Sequence, residues 1–338
     1  MRVAIFSLVV ALLSVGAFAG EDLGVSPLPL PNGTGGIGFD DMGFARSLHS
    51  VLVPAGRSGN LDLIDPVTLQ VTSIGGFSSR SAFGGGHGQG VTSADEGRGL
   101  LFATDRDARM LNVIDPKGRS IITSEPLASG PDYVRFVSTT DEVWVTEPGA
   151  HRIEIFSLPS EGMPKPVHVD FISIPGGPES LLIDDKLGRA YTHLWSDGTL
   201  AIDLKARKVA ARWKNGCKGS RGIAIDDSRG FLFVGCDEGK LSVLDLAQRT
   251  QLGQASSGNG VDIIAYNPDL HHAYLPGDES ATMAVIGISG KGDAVILGTV
   301  KTAHGSHCVA ADDKGKVYIC DPSAGRLFLF RDPFPESE

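Results

Sequence analysis

Several side chains able to bind ligands or carry protons stand beside glycine or proline in short loops. His87 and Gln89 lie in HGQG, and Asp132 follows Gly130-Pro131. Glu179 follows Gly177-Pro178, Arg221 precedes Gly222, and Asp262 follows Gly260-Val261. His304 and His307 share HGSH. Brought together, these groups suit one polar pocket. Asp132, Glu179 and Asp262 could offer oxygens, and His87, His304 and His307 nitrogens, to a divalent cation. Arg221 would either neutralise the acids or grip a ligand carboxylate with two parallel hydrogen bonds. A water-filled polar channel with no ligand is the competing reading. The chain has no phosphate-binding GxxxxGK[ST], no HExxH, no CxxC and no GxSxG. The run Gly84-Gly85-Gly86-His87-Gly88 lacks dinucleotide spacing, and no helical pattern follows it. No residue is therefore assigned a catalytic role.

A repeat must position these groups. One unit recurs about seven times: LDLID ending at Asp65, LNVID at Asp115, IEIFS at Ser157, LAID at Asp203, LSVLD at Asp245, MAVIG at Gly287 and LFLFR at Arg331. The gaps are 50, 42, 46, 42, 42 and 44 residues. Short alternating apolar runs at a period of roughly 40–50 residues predict a seven-bladed β-propeller of four-stranded antiparallel blades. Helical periodicity is absent. Inner strands begin at GGIGFDD, GQGVTSAD, GPDYVRF, GPESLLIDD, SRGIAIDD, VDIIAYNP and SHCVAADD. Aligning their starts puts Gly35, Gln89, Asp132, Glu179, Arg221, Asp262 and His307 on one ring at the channel mouth, with His87 and His304 beside it. His193, next to Trp195, reads as a packed strand end, and His271 and His272 as solvated turn residues. Trp144, Trp195 and Trp213 read as packing between blades.

The last repeat lacks a fourth strand. Residues 23–30 (LGVSPLPL) supply a spare one, so the N-terminal segment is expected to close the ring as the outer strand of the last blade. Its prolines fit an edge strand.

The four cysteines suggest two disulfides in a secreted chain. Cys308 and Cys320 flank the Asp312-Asp313-Lys314-Gly315 turn and should oppose each other across a hairpin. Cys236 aligns with Cys320 and has Cys217 as its nearest partner. The expected bridges are Cys308–Cys320 and Cys217–Cys236.

The formal charge of −10 disfavours phosphate backbones and anionic membranes, so no nucleic-acid partner is expected. Arg2, an apolar stretch from Val3 to Val15 and Ala17-Phe18-Ala19 read as a signal peptide over 1–19. The stretch is short for a membrane span. Residues 20–338 are expected to form one domain, secreted or periplasmic, monomeric and not membrane-spanning. Asn32-Gly33-Thr34 fits a glycosylation sequon, of consequence only in a eukaryotic host.

A glycine-proline entry, an inner strand, an Asp turn, a second strand and a V-x-V-hydrophobic-D third strand make a pattern that blades four to seven fit best. The stretch GGPESLLIDDKLGRAYTHLWSDGTLAIDLKARKVAARW is the closest example. This resembles the YVTN-type repeat of bacterial surface and periplasmic seven-bladed propellers, the YncE-like family. Blade three, with WVTE before IEIF, also resembles a streptogramin-lyase-type blade. The first resemblance implies fold and compartment but no catalytic residue. The expected function is extracytoplasmic binding of a small molecule, peptide or protein at the channel mouth without turnover. The alternative is a metal-dependent lactonase- or lyase-like enzyme with a divalent cation in the central channel.

Overall fold

The computed structural model describes residues 23–338; the expected leader lies outside the described residues. Seven four-stranded antiparallel sheets follow one another along the chain. Blade one spans 43–75, blade two 91–126, blade three 134–173 and blade four 179–213. Blade five spans 220–256, blade six 265–301, and blade seven 309–331. The outer strand of blade seven is Ser26–Pro29, which pairs antiparallel with Arg326–Arg331: Ser26 faces Leu329 and Pro29 faces Arg326. The molecule is a seven-bladed β-propeller closed by its own N-terminal strand.

The sheets bury both faces. Each of the seven hydrophobic clusters lies in a seam between neighbouring blades. The seven–one seam, for instance, packs Tyr318 and Leu327 against Ile37, Val51 and Val53. This explains the near-continuous apolar second and third strands. The terminal Asp of the repeat has a local task. Asp65 Oδ1 accepts the amides of Val67 and Thr68, both at 2.8 Å, and Leu69 beyond them takes φ +61°. Asp203 and Asp245 cap the same turn, with Arg207 and Arg249 in the left-handed position. In blades two to six a β-bulge interrupts the pairing of third and fourth strands, which adds twist toward the rim.

Cys217 and Cys236 are bridged, with Cα atoms 5.3 Å apart. Removing this bridge with C217A/C236A is expected to cost about 3 kcal/mol, the chain-entropy value for a loop of this size. Differential scanning calorimetry checks it, and an unchanged Tm would show the bridge to be energetically idle.

The second expected bridge is absent: Cys308 and Cys320 are free, buried thiols. They do face each other, since Cys320 N–H donates to Cys308 O at 3.1 Å. However, Cys308 N–H donates to Cys320 Sγ at 3.0 Å, so that sulfur is engaged by backbone instead of bonded to its neighbour. The alignment of Cys236 with Cys320 is also off by one. Phe231 and Lys316 are equivalent second-strand starts, pairing with Asp245 and Arg331. Cys320 therefore matches Gly235, and a one-residue offset places the two cysteines on opposite sheet faces. Cys236 packs in the four–five seam and Cys320 in the seven–one seam.

His272 is another correction. It is fully buried, with Nδ1 2.8 Å from Asp332 Oδ2 and Nε2 3.1 Å from Ser337 Oγ. Asp332 also accepts from Tyr274 OH at 2.7 Å. The segment after the last strand returns across blade six and buries this turn, a long-range contact that the local sequence does not announce.

Candidate functional site

A cavity of about 800 Å³ opens at the centre of the ring. His87, Asp132, Glu179, Arg221, Asp262, His304 and His307 all line it. Gln89 does not, and the register explains why. Asp132, Glu179, Arg221, Asp262 and His307 each stand five residues ahead of the inner-strand residue that faces the start of the second strand, namely Val137, Asp184, Asp226, Asn267 and Asp312. The same count back from Ala45 and Gly97 reaches Asp40 and Thr92, in place of the Gly35 and Gln89 expected from the glycines. Glycine marks the loop; strand pairing sets the position. The turns after Ala45 and Gly97 carry no Asp, so this count could not be started from the sequence.

Asp40 is the residue most clearly missed. It is buried, and its Oδ2 lies 3.1 Å from Arg106 Nη2. The same Nη2 bonds Asp132, while Arg106 Nε donates to Pro131 O at 2.8 Å. Arg106, also missed, thus ties the starts of blades one and three together from blade two. His87 Nδ1 lies 3.1 Å from Asp40 Oδ2, off the line of a good hydrogen bond, so the contact is an ion pair. Across the cavity Arg221 Nη1 donates to Glu179 Oε1 at 3.2 Å, and Trp195 Nε1 donates to Glu179 Oε2 at 2.5 Å. Trp195 is therefore a cavity wall rather than packing between blades, and it keeps 38% exposure. His193 is a packed strand end as expected, with Nδ1 3.0 Å from Thr199 Oγ1; burial depresses its pKa to about 3.

Burial dominates the acids. It pushes Asp132 up to about 8 against the pull of Arg106, and it raises Glu179 and Asp262 as well. For Asp40 burial works in the same direction, but His87 and Arg106 outweigh it and hold the carboxyl below the usual range. Asp40 in turn raises His87 to about 10, although 42% of that side chain is exposed. The folded state thus holds the His87 proton more tightly than the unfolded chain. That contribution is complete below pH 6.5 and disappears as pH climbs toward 10. His87→Gln should flatten the fall in Tm over this alkaline window. A variant that keeps the full wild-type slope would contradict the pairing.

His307 bears on the metal reading. Its Nδ1 lies 2.6 Å from Gly305 O and its Nε2 3.0 Å from Phe39 O. Carbonyl oxygens only accept, so both nitrogens must carry protons. Burial opposes the charge, but Cys320, Asp262 and the Gly305 carbonyl raise the pKa. The donor atoms of His87, Asp262 and His307 lie within 4.8 Å of one another. A cation there would need His307 to give up a proton and a backbone bond, so the trio fits an ion-pair cluster better than a metal centre.

No protein-family model matches the chain, and no curated protein does. Solved structures do. A chain of Kuenenia stuttgartiensis hydrazine synthase superposes with a TM-score of 0.70 at 11% identity, covering 90% of this chain and 97% of that one. A chain from a mitotic checkpoint complex gives 0.74 at 10% identity, covering 98% and 99%. The Myceliophteria thermophila Cps50 (Swd1) β-propeller domain gives 0.70 at 10% identity, covering 88% and 98%. At these identities the likeness is one of fold, and the site must be read from its own residues. No helix among the described residues is long and apolar enough to cross a membrane.

Proposed function

We propose that this propeller is an extracytoplasmic binding protein that holds a small polar ligand, or the end of a peptide, in the central cavity without turning it over. The observation carrying this is the Arg221–Trp195 wall. Arg221 keeps 37% side-chain exposure and spends Nη1 alone on Glu179, so its remaining fork faces a guest. Trp195 stands beside it on the same carboxylate. A carboxylate would dock on the guanidinium while a flat or apolar portion lies against the indole. The cavity volume falls within the range of small-molecule sites. The extracytoplasmic location rests on the leader and on the resemblance to the YVTN-type repeat. The propeller of similar fold from a checkpoint complex keeps a protein partner open, in which case the bound carboxylate belongs to a peptide chain.

The test is a thermal-shift screen of carboxylate-bearing compounds and short peptides, repeated on R221A and W195A. A ligand at 100 times its Kd should add about 2.7 kcal/mol of stability. Loss of the shift in both variants supports the wall as the site. A ligand that shifts both variants like wild type refutes it.

A further inference from the structure

We propose that Cys308 and Cys320 form a two-thiolate site for a soft monovalent metal ion of the Cu(I) class, with the His307 imidazolium as counter-charge. The two sulfurs and a His307 nitrogen lie within 4.8 Å of one another, and all three residues are buried. Two thiolates in line through a metal stand apart by about twice the ~2.3 Å metal–thiolate bond, which the pair can span by small side-chain rotations. Cys320 Sγ already accepts the Cys308 amide at 3.0 Å, an arrangement suited to a sulfur carrying negative charge. The surrounding seven–one seam is apolar. With both His307 nitrogens engaged by backbone carbonyls, the two sulfurs are the donors left in this trio, and soft thiolates select Cu(I).

Charge closes the argument. Uptake releases two protons, one from each thiol, and leaves a bis-thiolate complex of net charge −1. Such a charge is costly in an apolar seam unless paired. His307 pairs it: both of its nitrogens donate to backbone carbonyls, so it is fixed as a cation and is not a ligand. His307 also lines the central cavity and directly precedes Cys308 in the chain.

The experiment uses the full chain, reduced under anaerobic conditions, with two free thiols verified after denaturation and the Cys217–Cys236 bridge intact. Cu(I) is offered from a bathocuproine disulfonate complex. Wild type should withdraw a single equivalent, show a thiolate-to-metal charge-transfer band in the ultraviolet, and give an X-ray absorption spectrum with two sulfur neighbours. C308S and C320S should lose the band. C308A/C320A, with folding checked by circular dichroism, guards against misfolding of the serine variants. H307Q should weaken binding by about 10–100-fold while keeping the two-sulfur spectrum, as for groups that support a ligand from outside. Failure of the reduced wild type to withdraw Cu(I), or uptake retained by C308A/C320A, would overturn the proposal.

Discussion

Deleting residues 23–31 is expected to unfold most of the protein at room temperature. Among the described residues, Ser26–Pro29 is the strand that covers the outer edge of Arg326–Arg331. Leu28 and Leu30 pack in the seven–one seam, and Leu23 and Val25 in the six–seven seam. Full burial of such side chains contributes about 1.5–3 kcal/mol each. Partial burial of four therefore accounts for about 4–8 kcal/mol, against a typical total of about 5–15 kcal/mol. The exposed edge would then template pairing with another chain. Far-ultraviolet circular dichroism and size-exclusion chromatography check this, and a synthetic peptide of residues 23–31 should restore the ring in trans. A truncated protein with wild-type Tm would show that the other seams close the propeller by themselves.

Arg106→Met should be the most damaging single change at the site. Arg106 bonds the buried carboxylates of Asp40 and Asp132 and the carbonyl of Pro131. Only 21% of its side chain is exposed, so solvent cannot replace these bonds. Breaking a buried pair by removing one partner costs about 3–5 kcal/mol, because the acids left behind stay desolvated. Asp132, already held up near 8 by burial, would lose its main opposing cation. Adding Asp132→Asn to Arg106→Met should recover part of the loss, whereas Arg106→Lys should not restore a fork geometry. Urea denaturation of the single and double variants tests this. Strict additivity across the cycle would mean that Arg106 and Asp132 do not stabilise each other.

Much of this fold was legible in the chain, for a physical reason. A propeller repeats one local solution, so strand alternation and turn chemistry appear seven times in sequence. Asp65, Asp203 and Asp245 cap their turns with backbone amides a few residues away, and such contacts are written locally. Closure by the N-terminal strand was also legible, because a ring has no place for a missing strand or for a spare one. The ring of cavity residues was readable from blade three to blade seven. It failed in blades one and two, where strand pairing puts the buried Asp40 and Thr92, neither of them in the cavity lining, at the equivalent positions. Tertiary structure alone decided the rest. Arg106 joins three blades, His272 is buried by a segment some sixty residues further along, and a one-residue offset turns Cys320 away from the face that Cys236 occupies. In each case the deciding partner is distant in sequence. Propensity and period fix where a strand runs and which face is apolar, whereas the partner of a polar or sulfur-bearing side chain depends on which blades the closed ring brings together.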